Sequence, residues 1–589
     1  MALPPQQTLP QLIREVLAPP REEAFIERVD GRWRPTSSTA LLARAENLAA
    51  ALRGAGIAEG DRIALIAHDC VDWIVCAFGT LLAGCVVVPI FPTQALDQTA
   101  YILDHSGARL VFVDTQDGLN RLRGIGALPR TILMNGSGGE SLRAFEASGA
   151  ALPRATASAT PDDLAVLIYT SGTTGAPKGV MLSHDNIAFD ARSSFEYGFI
   201  GIEKGDPMLS VLPYSHIYEH TIVYIYLLGQ VDYSICHDPN ELLKDLREVR
   251  PVSMTSVPRI FDRVLAGVVT TSLTYGGMQA RLVPWALRVG REYAYARTFR
   301  GWVAIGLSLR YLVAKSLVLN KIRKRLGLDR IRFFTSGSAA LHVDTAMTFL
   351  GMGLPIMEGY GLTETSPVAT LSHLSANRYG AVGKAIPGVE VRIAEDGEVL
   401  VRGRNVMKGY YRDEAATAAA IKDGWLQTGD VGKLEDGFLF ITDRKKEVFK
   451  TTGGKWIAPA RVESAMRRSV FISQAMVVGD GRPHPIALIN ANWDLVRTAL
   501  SLAPALTAEE LAPRDDVQRF LAAEAQRATA DLAPYEQIRK VVIVSQEFTV
   551  ERGQLSPSMK IKRRVVERQY AHEIERAYAA AYPHTVLST

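Results

Sequence analysis

Residues 169–184 read YTSGTTGAPKGVMLSH and continue directly from the apolar run LAVLIY at 164–169. A short, uninterrupted apolar run bounded by turn residues reads as a strand buried on both faces. The stretch after it carries little side chain: three Gly, three Thr, one Ser and one Lys fall within its first eleven positions. Glycines let a backbone approach a ligand closely. Hydroxyls, exposed backbone N–H groups and one ammonium are the parts that surround a polyphosphate. The spacing differs from the Gly-x-x-x-x-Gly-Lys-Ser/Thr of the common nucleotide loop, because Gly172, Gly175 and Lys178 stand three apart and Pro177 precedes the lysine. A generic Gly/Ser/Thr stretch is most often a solvated turn. The buried strand before this one and the lone Lys within it point instead to a phosphate loop of another lineage.

The chain around that loop alternates helical and strand-like segments. STALLARAENLAAALRGAG (38–56) has helical character with Gly56 past its end, while DRIALIA, ARLVFVD and RIRFFTSG are short β-branched or apolar runs. Such alternation predicts stacked α/β layers with mostly parallel sheets. From about Val389 the texture changes: VEVRIAEDGEVLVRG and GFLFITD alternate in period two around Asp-Gly turns, as antiparallel hairpins do. After DRKK (443–446), helices and strands resume for about one small domain. The expected fold is therefore α/β, a large multi-layer N-terminal domain (stacked α/β layers plus a distorted β-barrel) over residues 1–443 and a smaller mobile α+β domain over 444–589.

Composition narrows the classes. A chain of 589 residues exceeds a single core; 47% hydrophobic and 22% charged residues are ordinary for a globular protein. A net charge of +4 implies no nucleic-acid partner. Cys70, Cys76, Cys85 and Cys236 form no CxxC pair, so thiols acting as small hydrophobes in a reducing compartment are expected. The Pro-rich start MALPPQQTLPQLIREVLAPP lacks a basic-then-apolar signal segment. WIVCAFGTLLAGCVVVPIF (73–91) carries no charge, but its Gly and Pro residues predict a buried helix to Leu82, a turn at Ala83–Gly84 and a buried strand rather than a membrane span. A cytoplasmic protein is expected.

Five further stretches share the character of the loop. They are TSGSAAL (335–341), EGYGLTETSP (358–367), GWLQTGD (424–430), DRKKEVFKTTGGKWIAP (443–459) and GQLSPSMKIKRR (553–564). Singly each is weak; in this order they resemble the adenylate-forming superfamily of acyl-CoA synthetases, luciferases and peptide-synthetase adenylation domains. The resemblance runs from roughly Leu41 to Tyr582. VPRIFDRV (257–264), FFTSGSAAL…GYGLTETSP and GGKWIAP are similar to the long-chain acyl-CoA synthetases.

The resemblance implies ATP-dependent activation of a carboxylate to acyl-AMP, then transfer to the thiol of coenzyme A, with a long-chain fatty acid as the substrate. Thr170, Ser171, Gly172, Thr173, Thr174, Gly175 and Lys178 take the β- and γ-phosphates. Thr170 and Glu364 take Mg²⁺, a hard ion that prefers oxygen ligands. Tyr360 stacks on adenine against Gly337, Ser338 and Ala339, with Gly361 and Thr363 in the same nucleotide-binding turn. Asp430 accepts the ribose hydroxyls with Arg444 assisting. Lys560 bridges the acyl carboxylate and α-phosphate, although SPSMK places Met559 where Gly is usual and leaves Lys562 as a rival. The small domain rotates about Lys445–Lys446, with Lys446 where Asp is usual, and Gly453 and Gly454 line the pantetheine path. His216 in LPYSHIYEH lies near the acyl pocket or only shapes its wall. A fatty acyl-AMP ligase loading an acyl carrier protein shares the first half-reaction and remains the alternative; a non-catalytic acyl-binding protein is disfavoured because Glu364 and Lys560 are present.

Charge arithmetic adds a separate expectation. Between Val264 and Arg325 eleven Lys or Arg face one acid, Glu292, so this segment carries +10 and the rest of the +4 chain carries −6. Its helical pattern intersperses Trp and Tyr with the cations, which suits either peripheral contact with an anionic membrane surface or a helical insertion whose charges are merely solvated.

Overall fold

The computed structural model describes residues 3–579 except 127, 137–139, 155–156, 171–175, 200, 276, 446, 551 and 557–559. It divides into two compact units, one of Met1–Thr428 with Lys433–Phe440 and one of Gly429–Gly432 with Ile441–Thr589. Asp430 and Asp443 thus belong to the second unit, and the chain passes between units inside the hairpin Trp425–Glu435/Phe438–Arg444.

Two large sheets organise the first unit. In one, Leu164–Thr170 lies between the parallel strand Val86–Ile90 and the antiparallel strand Lys178–Ser183, and the order continues through Arg62–Ile66, Leu110–Val113 and Arg130–Leu133. The apolar run at 164–169 is continuous because both faces of the sheet are covered: Ala165, Val166, Leu167 and Ile168 are buried. The uncharged stretch at 73–91 resolves as expected into the helix Val71–Leu82, a turn with Gly84 at φ +74° and the fully buried strand Val86–Ile90. Among the described residues no helix is long and apolar enough to cross a membrane. The second sheet carries Pro207–Ser210, Ser253–Ser256, Phe333–Ser336 and Ile356–Tyr360 as parallel neighbours. Thr370–Leu371 then pairs antiparallel with Ile356–Tyr360.

The change of texture at Val389 is a change of sheet. Val389–Ile393 and Glu398–Gly403 form an antiparallel hairpin closed over Asp396-Gly397, where Gly397 has φ +84°. Between the Ser253–Ser256 and Phe333–Ser336 strands the chain makes the helices Pro258–Tyr275, Gly277–Tyr295, Ile305–Ala314 and Asn320–Arg325, the basic segment of the sequence.

The second unit has its own core. Ile472–Val478, Ile486–Ala491 and Val541–Val544 form a three-stranded sheet; the helices Pro459–Met466 and Asp515–Thr529 cover one face through Val462, Met466 and Leu521 on Val477 and Ile489, and Val566 and Ile574 pack on Met476 and Leu488 of the other. Arg563 is pinned there by Glu463, 2.7 Å from its guanidinium, and by Glu447 at 3.4 Å.

Candidate functional site

Parallel strands end their ladders with carbonyl and N–H groups pointing into a crevice, and ligands of α/β sheets collect at those carboxyl ends. Two adjacent strand ends bear the expected adenine contacts. Ser336↔Glu358 is the last paired register of Phe333–Ser336 and Ile356–Tyr360, so Gly337–Ser338–Ala339 leave the sheet beside Gly359 and Tyr360, which stay paired with Leu371 and Thr370. Ser338 takes φ +67°, and the Tyr218 ring packs against Gly337, where an added Cβ would lie 2.8 Å from Tyr218 Cζ. At Gly361 a Cβ would lie 1.7 Å from the Pro367 carbonyl oxygen, so no other residue fits the turn that carries Thr363 and Glu364.

Glu358 lies beneath this shelf. Its Oε2 accepts the Leu341 N–H at 3.3 Å, tying the chain after Ala339 to the neighbouring strand, and burial pushes its pKa up to about 8.

The loop expected to hold phosphates begins at Thr170, which pairs with Lys178 across the antiparallel ladder. Ser171, Gly172, Thr173, Thr174 and Gly175 lie outside the described residues. The strand that enters the loop is anchored by Tyr169, whose hydroxyl is 2.8 Å from His105 Nδ1. Beyond Lys178, the strand Lys178–Ser183 pairs with Gly409–Tyr410, and this brings in a residue the sequence reading did not single out. Tyr410 donates its hydroxyl to Glu364 Oε1 at 2.9 Å, while Lys178 Nζ sits 4.9 Å from the centroid of the same ring. Burial, then the Glu364 carboxylate, holds the Tyr410 phenol well above its usual range, so it stays a donor. Lys178 Nζ also lies 3.8 Å from Asp413 Oδ2. A cation, a phenol and a carboxylate from three separated segments therefore meet at the mouth of the loop. The only sequence signal was GYYRD (409–413), unremarkable without the pairing that places it.

Magnesium would suit this donor set. Among the described residues no three His, Cys, Asp or Glu converge as an ion cage. The mouth offers the Glu364 and Asp413 carboxylates, and Thr170 stands at the strand end paired with Lys178; such hard oxygens are of the kind that hold Mg²⁺ together with waters and substrate phosphates.

His216 caps the helix Ile217–Leu228: its Nδ1 accepts the Tyr218 N–H at 3.2 Å. The same helix buries Glu219, which the sequence reading passed over. Its Oε1 accepts from Ser210 Oγ at 2.6 Å and Tyr233 OH at 2.7 Å, and burial pushes its pKa up to about 8.

Asp430, Arg444, Gly453, Gly454 and Lys560 all lie in the second unit. Arg444 Nε donates to Asp430 Oδ1 at 2.8 Å, across the hairpin on which both stand. Gly453 and Gly454 form the turn between Phe449–Lys450 and Trp456–Ile457, with Gly454 at φ +75° and its N–H on the Thr451 carbonyl at 2.9 Å. Lys446 lies outside the described residues, and Lys445 donates its N–H to the Gly429 carbonyl at 2.9 Å. Lys560 is exposed at the end of a short loop closed by its own backbone: Ser556 N–H donates to the Lys560 carbonyl at 2.7 Å, and Lys560 N–H to Ser556 Oγ at 3.1 Å. Lys562 is tied back by its N–H to the Gln554 carbonyl at 2.8 Å.

Comparison with known proteins follows the same outline. The family model described as AMP-binding enzyme matches residues 13–411, and that of the AMP-binding enzyme C-terminal domain matches residues 447–582. The long-chain-fatty-acid–CoA ligase FadD15 of Mycobacterium bovis is 34% identical over 93% of this chain and 93% of its own. The peroxisomal long chain acyl-CoA synthetase 6 of Arabidopsis thaliana is 32% identical over 89% of this chain and 78% of its own. Among solved structures, ATP-bound MatB from Rhodopseudomonas palustris superposes with a TM-score of 0.70 at 24% identity, covering 96% of this chain and 99% of that one.

Proposed function

Because the chain belongs to the AMP-binding enzyme family, we propose that it activates a long-chain fatty acid with ATP and transfers the acyl group to coenzyme A. In the first step a carboxylate oxygen attacks the α-phosphorus of ATP; the bond to the β-phosphate bridging oxygen breaks and pyrophosphate leaves. In the second the coenzyme A sulfur attacks the acyl carbon, the acyl–oxygen bond to AMP breaks, and the thiol proton passes to solvent. The observation that carries the reading is the meeting of Lys178, Tyr410 and Glu364 at the loop mouth. A polyanion and a second anion must be brought together there, and preorganised charge is the largest contribution to such displacements.

In this proposal Thr170, Lys178 and the backbone of 171–175 hold the terminal phosphates. Tyr360 and Gly337–Ser338–Ala339, with Gly361 and Thr363, hold adenine. Glu364 and Thr170 hold Mg²⁺, which supplies charge neutralisation of the phosphates when bound. Tyr410 orients Glu364. Asp430 receives the ribose hydroxyls, and its pairing with Arg444 leaves the carboxylate fixed in direction. Lys560 carries the cation that meets charge growing on the α-phosphate. Residues 444–589 act as the mobile unit, with Lys446 as pivot and Gly453–Gly454 on the pantetheine path. His216 stands by the acyl pocket, where its ring also caps a helix. The basic helices at 264–325 give the enzyme a peripheral contact with an anionic membrane surface on the cytoplasmic side.

The test is product analysis with ATP, Mg²⁺ and palmitate, adding either coenzyme A or an acyl carrier protein. Palmitoyl-CoA is expected, and acylation of the carrier protein alone would overturn the acceptor. Lys560→Ala is expected to lose acyl-AMP formation by roughly 2–4 kcal/mol of transition-state stabilisation while still forming thioester from supplied acyl-AMP. Equal loss in both halves removes Lys560 from its role, and a defect confined to Lys562→Ala transfers the role there.

A further inference from the structure

The basic helical segment carries apolar side chains on a face the fold leaves uncovered. Its second half is an antiparallel hairpin: Gly277–Tyr295 continues as a π-turn to Arg300, Gly301 reverses the chain at φ +74°, and Ile305–Arg325 returns. Tyr293 and Tyr311 stack across the two arms at 3.9 Å, and Tyr311, Ala314, Val318, Leu319 and Ile322 face inward. These inward residues satisfy the ordinary need of an amphipathic helix. The returning arm nonetheless has a second apolar stripe on its other side. Ile305 is 80% exposed, Leu309 59% and Leu312 60%, with Val313 and Leu317 exposed behind them and Phe299 and Trp302 at the reversal.

Seven of the sixteen exposed large apolar side chains among the described residues fall within 299–317, so this is a patch rather than scatter. At about 100° per residue, Ile305, Leu309, Leu312 and Val313 share one face, and Arg310 and Lys315 fall on its two margins.

Charge selects the occupant. Residues 305–325 contain six cations and no acid. A second copy seated symmetrically on this ridge would bring each basic rim against its equivalent, and like charges across an interface oppose association. An anionic lipid surface meets both features together, with phosphates for the rim and the headgroup–acyl boundary for the ridge. We propose that the ridge from Phe299 to Leu317 inserts into that boundary of an anionic bilayer, so that the enzyme is held by apolar burial as well as by charge. This rests on the peripheral contact proposed above and gives it a definite inserted surface.

The experiment uses the full chain with large unilamellar vesicles of phosphatidylcholine alone or mixed equally with phosphatidylglycerol. Sedimentation with the mixed vesicles is expected, with binding that weakens as salt screens the rim. Ile305→Ser/Leu309→Ser/Leu312→Ser is expected to lower partitioning about tenfold or more, as loss of buried apolar area requires. Its thermal melt should match the wild type, since the three side chains are exposed. Acyl-chain-brominated lipid is expected to quench wild-type fluorescence more than that of Trp302→Phe, which isolates Trp302 from the other six tryptophans. Unchanged binding of the Ser variant, or equal quenching, overturns insertion and leaves membrane contact by charge alone. Absence of wild-type binding to either vesicle overturns both. A dimer that dissociates in the Ser variant, without vesicle binding, assigns the ridge to a second copy and overturns it as well. None of these readouts depends on the ligase reaction.

Discussion

Tyr410 does two things with one side chain: its hydroxyl holds Glu364 and its ring faces the Lys178 ammonium. Tyr410→Phe removes the first and keeps the second. A hydrogen bond to a charged acceptor contributes about 1.5 kcal/mol, so about a tenfold fall in kcat/KM for ATP is expected in pyrophosphate exchange, and a wild-type value removes Tyr410 from the positioning of Glu364. Glu358 offers a prediction in pH. Its pKa is raised to about 8 from 4.5, burial being the cause. The folded protein therefore keeps this proton where the unfolded chain has lost it. Its contribution to stability is complete below about 4.5 and falls as pH rises through about 8. Glu358→Gln carries no such proton, so urea unfolding of the larger unit should lose less stability than wild type between about pH 5 and about pH 8. An identical fall in the variant would show that the buried Asp69 and Glu219, whose pKa values are raised to about 7 and about 8, account for it instead.

At the scale of elements, the basic hairpin owes its seat to one close crossing. The helix Val343–Gly351 meets Gly277–Tyr295 where Gly351 lies on Gly290, and a Cβ at Gly351 would stand 2.3 Å from the Gly290 carbonyl carbon. Tyr295 OH on Asp344 Oδ1 at 2.7 Å fixes the rotation of the pair. Gly351→Ala forces the backbones apart, and overpacking of this kind costs about 1–3 kcal/mol. A fall in Tm of a few degrees is expected by calorimetry, and an unchanged melt would show that the crossing yields freely. The loop of Lys560 is set by a similar economy of parts. Leu555 bridges Ile561, and Arg563 reaches Glu463 and Glu447, so the residues that follow the cation give it a fixed base.

For the whole molecule, the proposed function implies a division of labour between the two units, which the chain joins within a hairpin. If rotation at residue 446 separates the half-reactions, Lys446→Pro, which locks φ there, should leave acyl-AMP synthesis normal and abolish thioester formation; unchanged acyl-CoA turnover moves the pivot elsewhere. Much of this molecule was legible in its sequence. LAVLIY announced a strand buried on both faces because only apolar side chains survive there, and VEVRIAEDGEVLVRG announced a hairpin because a half-buried ladder alternates. Those are local consequences of burial and backbone geometry, carried by neighbouring residues. Tyr410 beside Glu364, Glu358 on the Leu341 N–H and the outward apolar stripe of 305–317 were not legible. Each depends on which distant segment packs on which face: the strand Gly409–Tyr410 joins Lys178–Ser183 only in the folded sheet, and a helix apolar on two sides looks the same in sequence as one buried on both. Sequence determined the elements and the chemistry available to them, and tertiary packing decided which groups meet and which apolar face is left to water.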